Sequence, residues 1–327
     1  MLFGGVLWLF LVLPCFAGCP IDRKIVIAGL DYDSARFTSE VASLILDLGY
    51  DCGTYIANKN SGDQIPDIAN GDADIIMEIW VEEPSPKWVT AKNEGKVTEL
   101  GMNFGATDEG WFVPTYLVEG PNAKAPDLRG ATDLRSKKLA DLFKGEFVNC
   151  PASWNCKGTN EDKLKAYGLS ELYKSVVTND DKDLRRRVED AYRHHLPVLF
   201  YGWHPDILLG KYQYTKLIES KFDKTIWNRN HACEYPTGKV FIGANKAFAD
   251  RNPEIVEFLR RWRMGNDDIG SALDDAYSRH LTTMKEEARR FLISRPDVWT
   301  PWVSADVAAK LHTNLSDGRS GEHREHP

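Results

Sequence analysis

Short apolar runs alternate with amphipathic segments along the chain from residue 24 onward. The run KIVIAG predicts a strand, and the next segment has apolar residues at helical spacing, which predicts a helix that Ser34 caps and Gly49 ends. Residues 54–56 predict a second strand, IPDIAN a short helix and ADIIMEIW a third strand. This alternation is typical of the α/β class, in which crossover helices connect parallel strands.

The same alternation restarts in the second half of the chain. Residues 134–144, 161–167 and 182–195 predict helices, and the runs EFVN, PVLFYGW and KVFIGA predict strands. The last residues, 316–327, are polar, and we predict a disordered tail there. The 327 residues are enough for two domains, each with its own core.

The first 18 residues form an apolar run that ends in small residues, and this predicts a cleaved signal peptide over residues 1–18. No Lys or Arg precedes the apolar core, so an uncleaved anchor is an alternative, and the sequence FAGC leaves a lipid anchor at Cys19 as another. Beyond residue 20 no apolar stretch is long enough to span a membrane. We therefore expect an exported, periplasmic protein that is soluble or tethered at its N-terminus.

The composition is that of a globular protein, with 43% hydrophobic and 27% charged residues and a net charge of −7. No basic tract is long enough to follow a phosphate backbone, which argues against nucleic acid as a partner. The histidines lack the spacing of a structural zinc site, and nucleotide-binding and hydrolase motifs are absent from the sequence. We expect no metal and no cofactor.

Six cysteines in an exported chain indicate disulfide bonds. Cys150 and Cys156 close a short loop and are expected to pair. Cys19 precedes the first predicted strand and Cys52 the second, so adjacent parallel strands would bring them together, although lipidation of Cys19 would exclude that bridge. Cys233 has no obvious partner.

Tryptophans stand where ligands bind in open α/β sheets, beyond the carboxyl ends of the strands. Trp80 and Trp203 end predicted strands, and Trp154 lies inside the cysteine loop just ahead of a helix. Indole faces are the best cation-binding surfaces among side chains, and several together can replace water around a methylated ammonium. The alternative for each ring taken alone is ordinary packing.

Polar groups beside these rings suggest how the rest of a ligand is held. The amides of Asn155, Cys156 and Lys157 open a helix and suit a carboxylate or another anionic group; the alternative is a pinned turn in which Thr159 or Asn160 caps the helix. Glu78 shares a strand face with Trp80 and suits a cation or a hydroxyl, unless it caps a helix or forms a salt bridge between lobes.

Four segments together resemble the glycine betaine, choline and carnitine substrate-binding proteins of ABC importers. They are GDADIIMEIWVEEP, DEGWFVPTYLV, CPASWNCKG and LPVLFYGWHPD, and the resemblance covers roughly residues 24–290. It implies a type II periplasmic binding protein with a ligand cleft between two lobes, the first over residues 19–116 and 223–315 and the second over 117–222.

The resemblance also implies site residues and a partner. Trp80, Trp154 and Trp203 match the family's tryptophan box, Trp111 completes the box or packs behind it, and the amides of Asn155 and Cys156 match the carboxylate seat. The implied protein is a monomeric, non-catalytic receptor that captures a quaternary ammonium compound and delivers it to a membrane permease.

The sequence departs from the family pattern at two places. His204 stands after Trp203 where many relatives carry other residues, and Glu82 and Glu83 add acidity after Trp80, which favours choline-like cations over zwitterionic betaines. His204 is a further candidate ligand contact. Two other functions stay open: an exported enzyme with Glu78 or His204 as general base, and a sensor domain with the same fold.

Overall fold

The computed structural model describes residues 19–59, 61–80, 85–105, 107–281 and 283–318, with only the backbone described for residues 61–63. The predicted signal peptide, residues 1–18, lies outside the described residues, and so do Glu82, Glu83 and residues 319–327 of the predicted tail.

The described strands are β1 (Ile25–Gly29), β2 (Thr54–Asn58), β3 (Ile75–Trp80), β4 (Val97–Gly105), β5 (Asp108–Pro114), β6 (Glu146–Asn149), β7 (Lys174–Val177), β8 (Phe200–His204), β9 (Tyr214–Lys216) and β10 (Lys239–Asn245). The described helices are α1 (Asp33–Gly49), α2 (Ser61–Asn70), α3 (Pro86–Asn93), α4 (Lys137–Leu142), α5 (Cys156–Ala166), α6 (Asp181–Arg193), α7 (Ile207–Lys211), α8 (Lys224–Asn230), α9 (Lys246–Arg251), α10 (Pro253–Arg261), α11 (Asn266–Ser278), α12 (Met284–Ser294), α13 (Pro296–Trp299) and α14 (Ala305–Ser316). Short 3₁₀ turns cover Thr115–Leu117, Ala131–Arg135 and Thr300–Trp302.

These strands form two five-stranded sheets, ordered β2-β1-β3-β10-β4 and β7-β6-β8-β5-β9. In the first sheet β1 runs parallel to β2 and β3, while β10 runs antiparallel to β3 and β4. In the second sheet β6 runs parallel to β7 and β8, while β5 runs antiparallel to β8 and β9. The predicted α/β class is confirmed, and each sheet with the helices packed on it is called a lobe below.

The chain crosses between the lobes twice, and the two crossings are joined by hydrogen bonds. The amide of Thr107 donates to the carbonyl of Gly238 at 3.3 Å, and the amide of Gly238 donates to Oγ1 of Thr107 at 2.9 Å. The predicted second lobe begins at residue 117, yet β5 already pairs within the second sheet. The exact lobe bounds remain a prediction, and the strand pairing favours crossings beside Thr107 and Gly238.

The predicted cap of α1 is wrong, and so is the alternative considered for the start of α5. Ser34 was expected to cap α1, but the helix begins at Asp33 after the extended backbone of Tyr32, so Ser34 is buried inside the first turn. Neither Thr159 nor Asn160 caps α5, because that helix already begins at Cys156 and includes both. Neither Tyr32 before α1 nor Asn155 before α5 makes a side-chain capping hydrogen bond, so residue type alone does not locate either start.

Both predicted disulfides are present. Cys19 pairs with Cys52 at a Cα–Cα distance of 4.8 Å, as the parallel pairing of β1 with β2 requires, and Cys150 pairs with Cys156 at 6.4 Å. The sulfur of Cys19 is therefore engaged in a bridge, whereas the alternative prediction gave it to a lipid. Cys233 is buried and unbridged. Within the described part of the chain, no helix has the length and apolar character needed to cross a membrane.

Candidate ligand-binding site

A cavity of about 140 Å³ lies between the lobes, at the carboxyl ends of β3 and β8. Aromatic side chains from both lobes supply much of its wall: Tyr32, Trp80, Trp88, Trp154, Tyr201 and Trp203. The cavity is smaller than the 300–1,000 Å³ typical of sites for drug-sized molecules. It therefore fits a compact solute of a few heavy atoms.

The ring of Trp154 stands nearly at right angles to the rings on either side of it, those of Tyr32 and Trp203. The ring centroids of Tyr32 and Trp154 are 5.2 Å apart with an interplanar angle of 73°. Those of Trp154 and Trp203 are 5.1 Å apart at 82°. Tyr201 extends the wall by stacking on Trp203 at 5.9 Å. Rings arranged in this way form the sides of a box that presents π-electron density to its contents.

Trp154 is held from both of its sides. The Cys150–Cys156 bridge closes its loop, and the amide of Trp154 donates to the carbonyl of Pro151 at 3.0 Å. Its indole nitrogen Nε1 donates to Oδ1 of Asp31, in the other lobe, at 3.0 Å. The ring that completes the box is thus fixed by a covalent loop on one lobe and by a hydrogen bond to the other.

The first turn of α5 faces the same cavity. Asn155 and Cys156, two of the three residues whose amides were predicted to hold an anionic group, are among the residues that line it. The third predicted amide, that of Lys157, donates instead to the carbonyl of Trp154 at 3.3 Å. The helix therefore directs the positive end of its dipole toward the cavity through Asn155 and Cys156.

Glu78 is a buried carboxylate in the cavity wall, with only 2% of its surface exposed. The indole Nε1 of Trp80 is shared between Oε2 of Glu78, at 3.3 Å, and the hydroxyl of Tyr32, at 3.1 Å. Oε1 of Glu78 has no hydrogen-bond partner among the described residues. Burial raises the pKa of Glu78 to about 8 and holds the pKa of Tyr32 well above its usual value.

Glu109 is a second buried acid in the wall, and the sequence patterns did not point to it. It lies opposite Trp203 in the antiparallel pairing of β5 with β8, and it accepts a hydrogen bond from the hydroxyl of Tyr201 at 2.6 Å. Glu109 is the second residue of β5, at the amino end of the strand, whereas the strand-end rule singles out only the carboxyl ends of strands. Antiparallel pairing carries its amino end to the edge of the sheet where β8 finishes.

Two predicted site residues lie outside the cavity wall. Trp111 is fully buried within the second lobe, where its Nε1 donates to Oδ1 of Asn160 at 2.7 Å and its ring packs on Phe147. Of the two roles considered for Trp111, the structure favours packing behind the box. His204 points toward Gly270 of α11 because successive side chains on a strand face opposite sides, and Trp203 takes the side of the cavity.

The sequence patterns also missed Tyr32 and Tyr201. Tyr201 precedes Trp203 by two residues on β8, so strand periodicity alone would have placed it on the same face. Tyr32 follows the carboxyl end of β1, where the rule used for the tryptophans applies equally. Both could have been predicted by extending the search from tryptophan to tyrosine.

Comparison with known proteins identifies a matching family and related binding proteins. Residues 23–294 match the family model described as the substrate-binding domain of an ABC-type glycine betaine transport system. A glycine betaine/proline betaine-binding periplasmic protein of Escherichia coli is 22% identical over 224 residues, which cover 62% of this chain and 65% of the relative. Its counterpart from Salmonella typhimurium is 21% identical over a similar span.

Solved structures share the fold. The glycine betaine/L-proline-binding protein ProX from Borrelia burgdorferi is 16% identical, with a TM-score of 0.74 over 88% of this chain and 100% of that chain. A choline-binding protein in complex with choline is 14% identical, with a TM-score of 0.74 over 89% and 98%. The family match covers most of the chain and confirms the resemblance drawn from the four segments. The chain belongs to the family of substrate-binding domains of ABC-type glycine betaine transport systems.

Proposed function

We propose that this protein is an exported receptor that captures a small quaternary ammonium compound, such as glycine betaine or choline, and delivers it to a membrane permease. The observation that carries the proposal is the box of aromatic rings from both lobes around one small cavity. A methylated ammonium cannot donate hydrogen bonds, so indole faces are the surface that best replaces its water.

The arrangement also supports a closing motion. Tyr32 and Trp80 belong to the first lobe and Trp154 and Trp203 to the second, so the box is complete only when the lobes are together. A ligand that contacts all four rings stabilises the closed arrangement over the open one. The permease would then recognise the closed form, and the ligand would leave chemically unchanged.

Replacement of Trp154 tests the box directly. Each desolvated cation–π contact is worth about 2 kcal/mol or more, which corresponds to about 30-fold in affinity. We expect Trp154→Leu to weaken binding of choline or glycine betaine by about 30-fold or more in calorimetric titration, and Trp154→Phe to weaken it less. Leu keeps an apolar side chain without a π face, so the ranking separates cation–π attraction from simple contact.

Trp299→Phe is the matched control, because Trp299 is buried in the first lobe and donates to the carbonyl of Leu292, outside the cavity wall. Its affinity should equal that of the unchanged protein. Equal affinity in Trp154→Leu and the unchanged protein would overturn the proposed function. Conversion of the ligand during the titration, checked by mass spectrometry, would favour the enzyme alternative.

A further inference from the structure

We propose that the cavity selects a ligand of net positive charge, a choline-type amino alcohol, and that Glu78 discriminates against betaines, which carry a carboxylate of their own. This inference rests on the proposed function and narrows the class of quaternary ammonium compound that the site accepts.

The charged side chains described in the cavity wall are acidic. Two buried carboxylates, Glu78 and Glu109, belong to the wall, and none of the described residues that line it is a Lys, Arg or His. The internal positions outside the described ranges, residue 60, residues 81–84, residue 106 and residue 282, hold no basic residue either. A buried carboxylate is costly unless a cation or enough hydrogen bonds compensate it. For Glu78, whose Oε1 has no hydrogen-bond partner among the described residues, a cationic ligand would supply that compensation.

The two acids differ in the hydrogen bonds that the described residues give them. Glu109 accepts the hydroxyl of Tyr201, but Oε1 of Glu78 has no partner among the described residues although the side chain is almost fully buried. A carboxylate oxygen in this position can accept the hydroxyl of an amino alcohol. The carboxylate of a betaine offers no hydrogen for such a bond, and its charge repels the ionised form of Glu78.

The N-terminus of α5 is a positive feature of the described cavity wall. A helix terminus carries roughly half an elementary charge, and here it acts through Asn155 and Cys156. That is enough to orient a hydroxyl or to offset part of one carboxylate. It does not offset the ionised form of Glu78 together with a carboxylate that belongs to the ligand.

The proposal predicts that Glu78 changes its protonation when a cation binds. The titratable groups that line the cavity with Glu78 are Tyr32, from the junction of β1 with α1, Glu109, from β5, and Tyr201, from β8. The more distant Asp31 also acts on Tyr32. Burial raises the pKa of Glu78 to about 8, and no basic group opposes this. A bound cation lowers that pKa, so binding of choline releases a proton near neutral pH.

Calorimetric titration with choline and with glycine betaine, from pH 6.5 to pH 9 in buffers of different ionisation enthalpy, tests the proposal. We expect choline to bind at least tenfold more tightly than glycine betaine at pH 8. Choline affinity should rise as the pH passes about 8, because only the charged form of Glu78 attracts the cation. Affinity for glycine betaine should stay flat or fall over the same range.

Glu78→Gln keeps the size of the side chain and removes its charge. In this variant we expect choline to bind about tenfold more weakly at pH 8, the preference over glycine betaine to shrink and the pH dependence to disappear. Glu287→Gln is the matched control, because Glu287 is also a buried glutamate with a pKa raised by burial, to about 7, but lies on α12 away from the cavity. Its ligand preference should be unchanged.

The possible results separate this inference from the proposed function. The selectivity is overturned if glycine betaine binds the unchanged protein as tightly as choline does. It is also overturned if Glu78→Gln leaves the ratio of the two affinities unchanged. Either result leaves the receptor function standing. Failure of both compounds to bind overturns the receptor function itself. The pH profile of the unchanged protein needs no variant, so a misfolded Glu78→Gln does not leave the proposal untested.

Discussion

The aromatic cavity and a neighbouring ionic cluster both lie between the lobes, but they treat charge in opposite ways. The ionic cluster consists of Asp33 and Arg36 on α1 and Asp181 and Arg185 on α6. Arg36 donates to Asp33 at 2.8 Å and to Asp181 at 2.9 Å, and Arg185 donates to Asp33 and, at 3.4 Å, to Asp181. Each carboxylate in the cluster meets guanidinium groups from both lobes.

The two regions therefore differ in whether the chain itself pairs the buried charges. In the ionic cluster the chain supplies both signs of charge, so each carboxylate is paired without a ligand. Among the described side chains that line the cavity the charged ones are carboxylates, and the closed arrangement carries the cost of burying Glu78. A cationic ligand removes that cost, and closure with the ligand then becomes more favourable than closure without it.

The largest effect that would sharpen this contrast is a gain in stability from Glu78→Gln. The pKa of Glu78 is raised in the folded protein, so the fold favours the protonated acid, and stability falls as the pH rises from about 4.5 to about 8. The neutral amide avoids this loss. We expect the ligand-free variant to be more stable than the unchanged protein at pH 8, by on the order of 3 kcal/mol, and similar at pH 4.5.

Urea denaturation at both pH values measures this difference. Comparing the variant with the unchanged protein isolates Glu78 from other acids whose pKa burial raises, such as Asp206 and Glu287. A variant that is less stable at pH 8 would show that the carboxylate is compensated within the chain and would break the contrast with the ionic cluster.

An intermediate effect is expected from Arg185→Met in the ionic cluster. The variant keeps an apolar stem but leaves Asp33 and Asp181, both buried, with Arg36 as the remaining guanidinium between them. Removing one member of a buried ion pair costs about 3–5 kcal/mol, but opening of the lobes lets water relieve part of this. We expect ligand affinity to fall about tenfold and small-angle scattering to report a larger ligand-free molecule.

Arg186→Met is the control on the same helix. Arg186 pairs with Asp183, and 62% of its side chain is exposed, so the change should leave affinity and size unaltered. Equal losses in the two variants would mean that the helix, rather than the ionic cluster, determines closure.

The smallest effect is expected from Tyr277→Phe. Tyr277 on α11 donates its hydroxyl to Glu189 on α6 at 2.9 Å, another contact between the lobes. A single hydrogen bond to a charged group at a partly exposed site contributes modestly, so affinity should fall by about two- to fivefold in the same titration. Tyr55→Phe, at an exposed position on β2, should change nothing. A larger loss than that of Arg185→Met would displace the ionic cluster as the main contact of closure.

The sequence predicted those features that depend on local pattern. Alternating runs gave the α/β class, the strand-end rule located Trp80 and Trp203, and the short cysteine loop located Trp154 and its bridge. These succeed because a strand end or a short loop determines where its own residues go, whatever the partner lobe contributes.

Features that need two distant segments could not be predicted in this way. Arg36 and Asp181 are 145 residues apart, and nothing near either one indicates the other. Glu109 faces the cavity only because β5 pairs antiparallel with β8. Trp111 and Trp203 look alike as aromatic residues on strands, and only the packing of the second lobe separates the buried ring from the one in the cavity wall.

The paired crossings beside Thr107 and Gly238 have a mechanical consequence. Two adjacent backbones that share hydrogen bonds resist sliding and shearing but allow rotation about the line that joins them. A small rotation about that line would move the far edges of the lobes much further than it moves the crossings themselves. The proposed closing motion would then turn on a pair of crossings that lie outside the cavity wall.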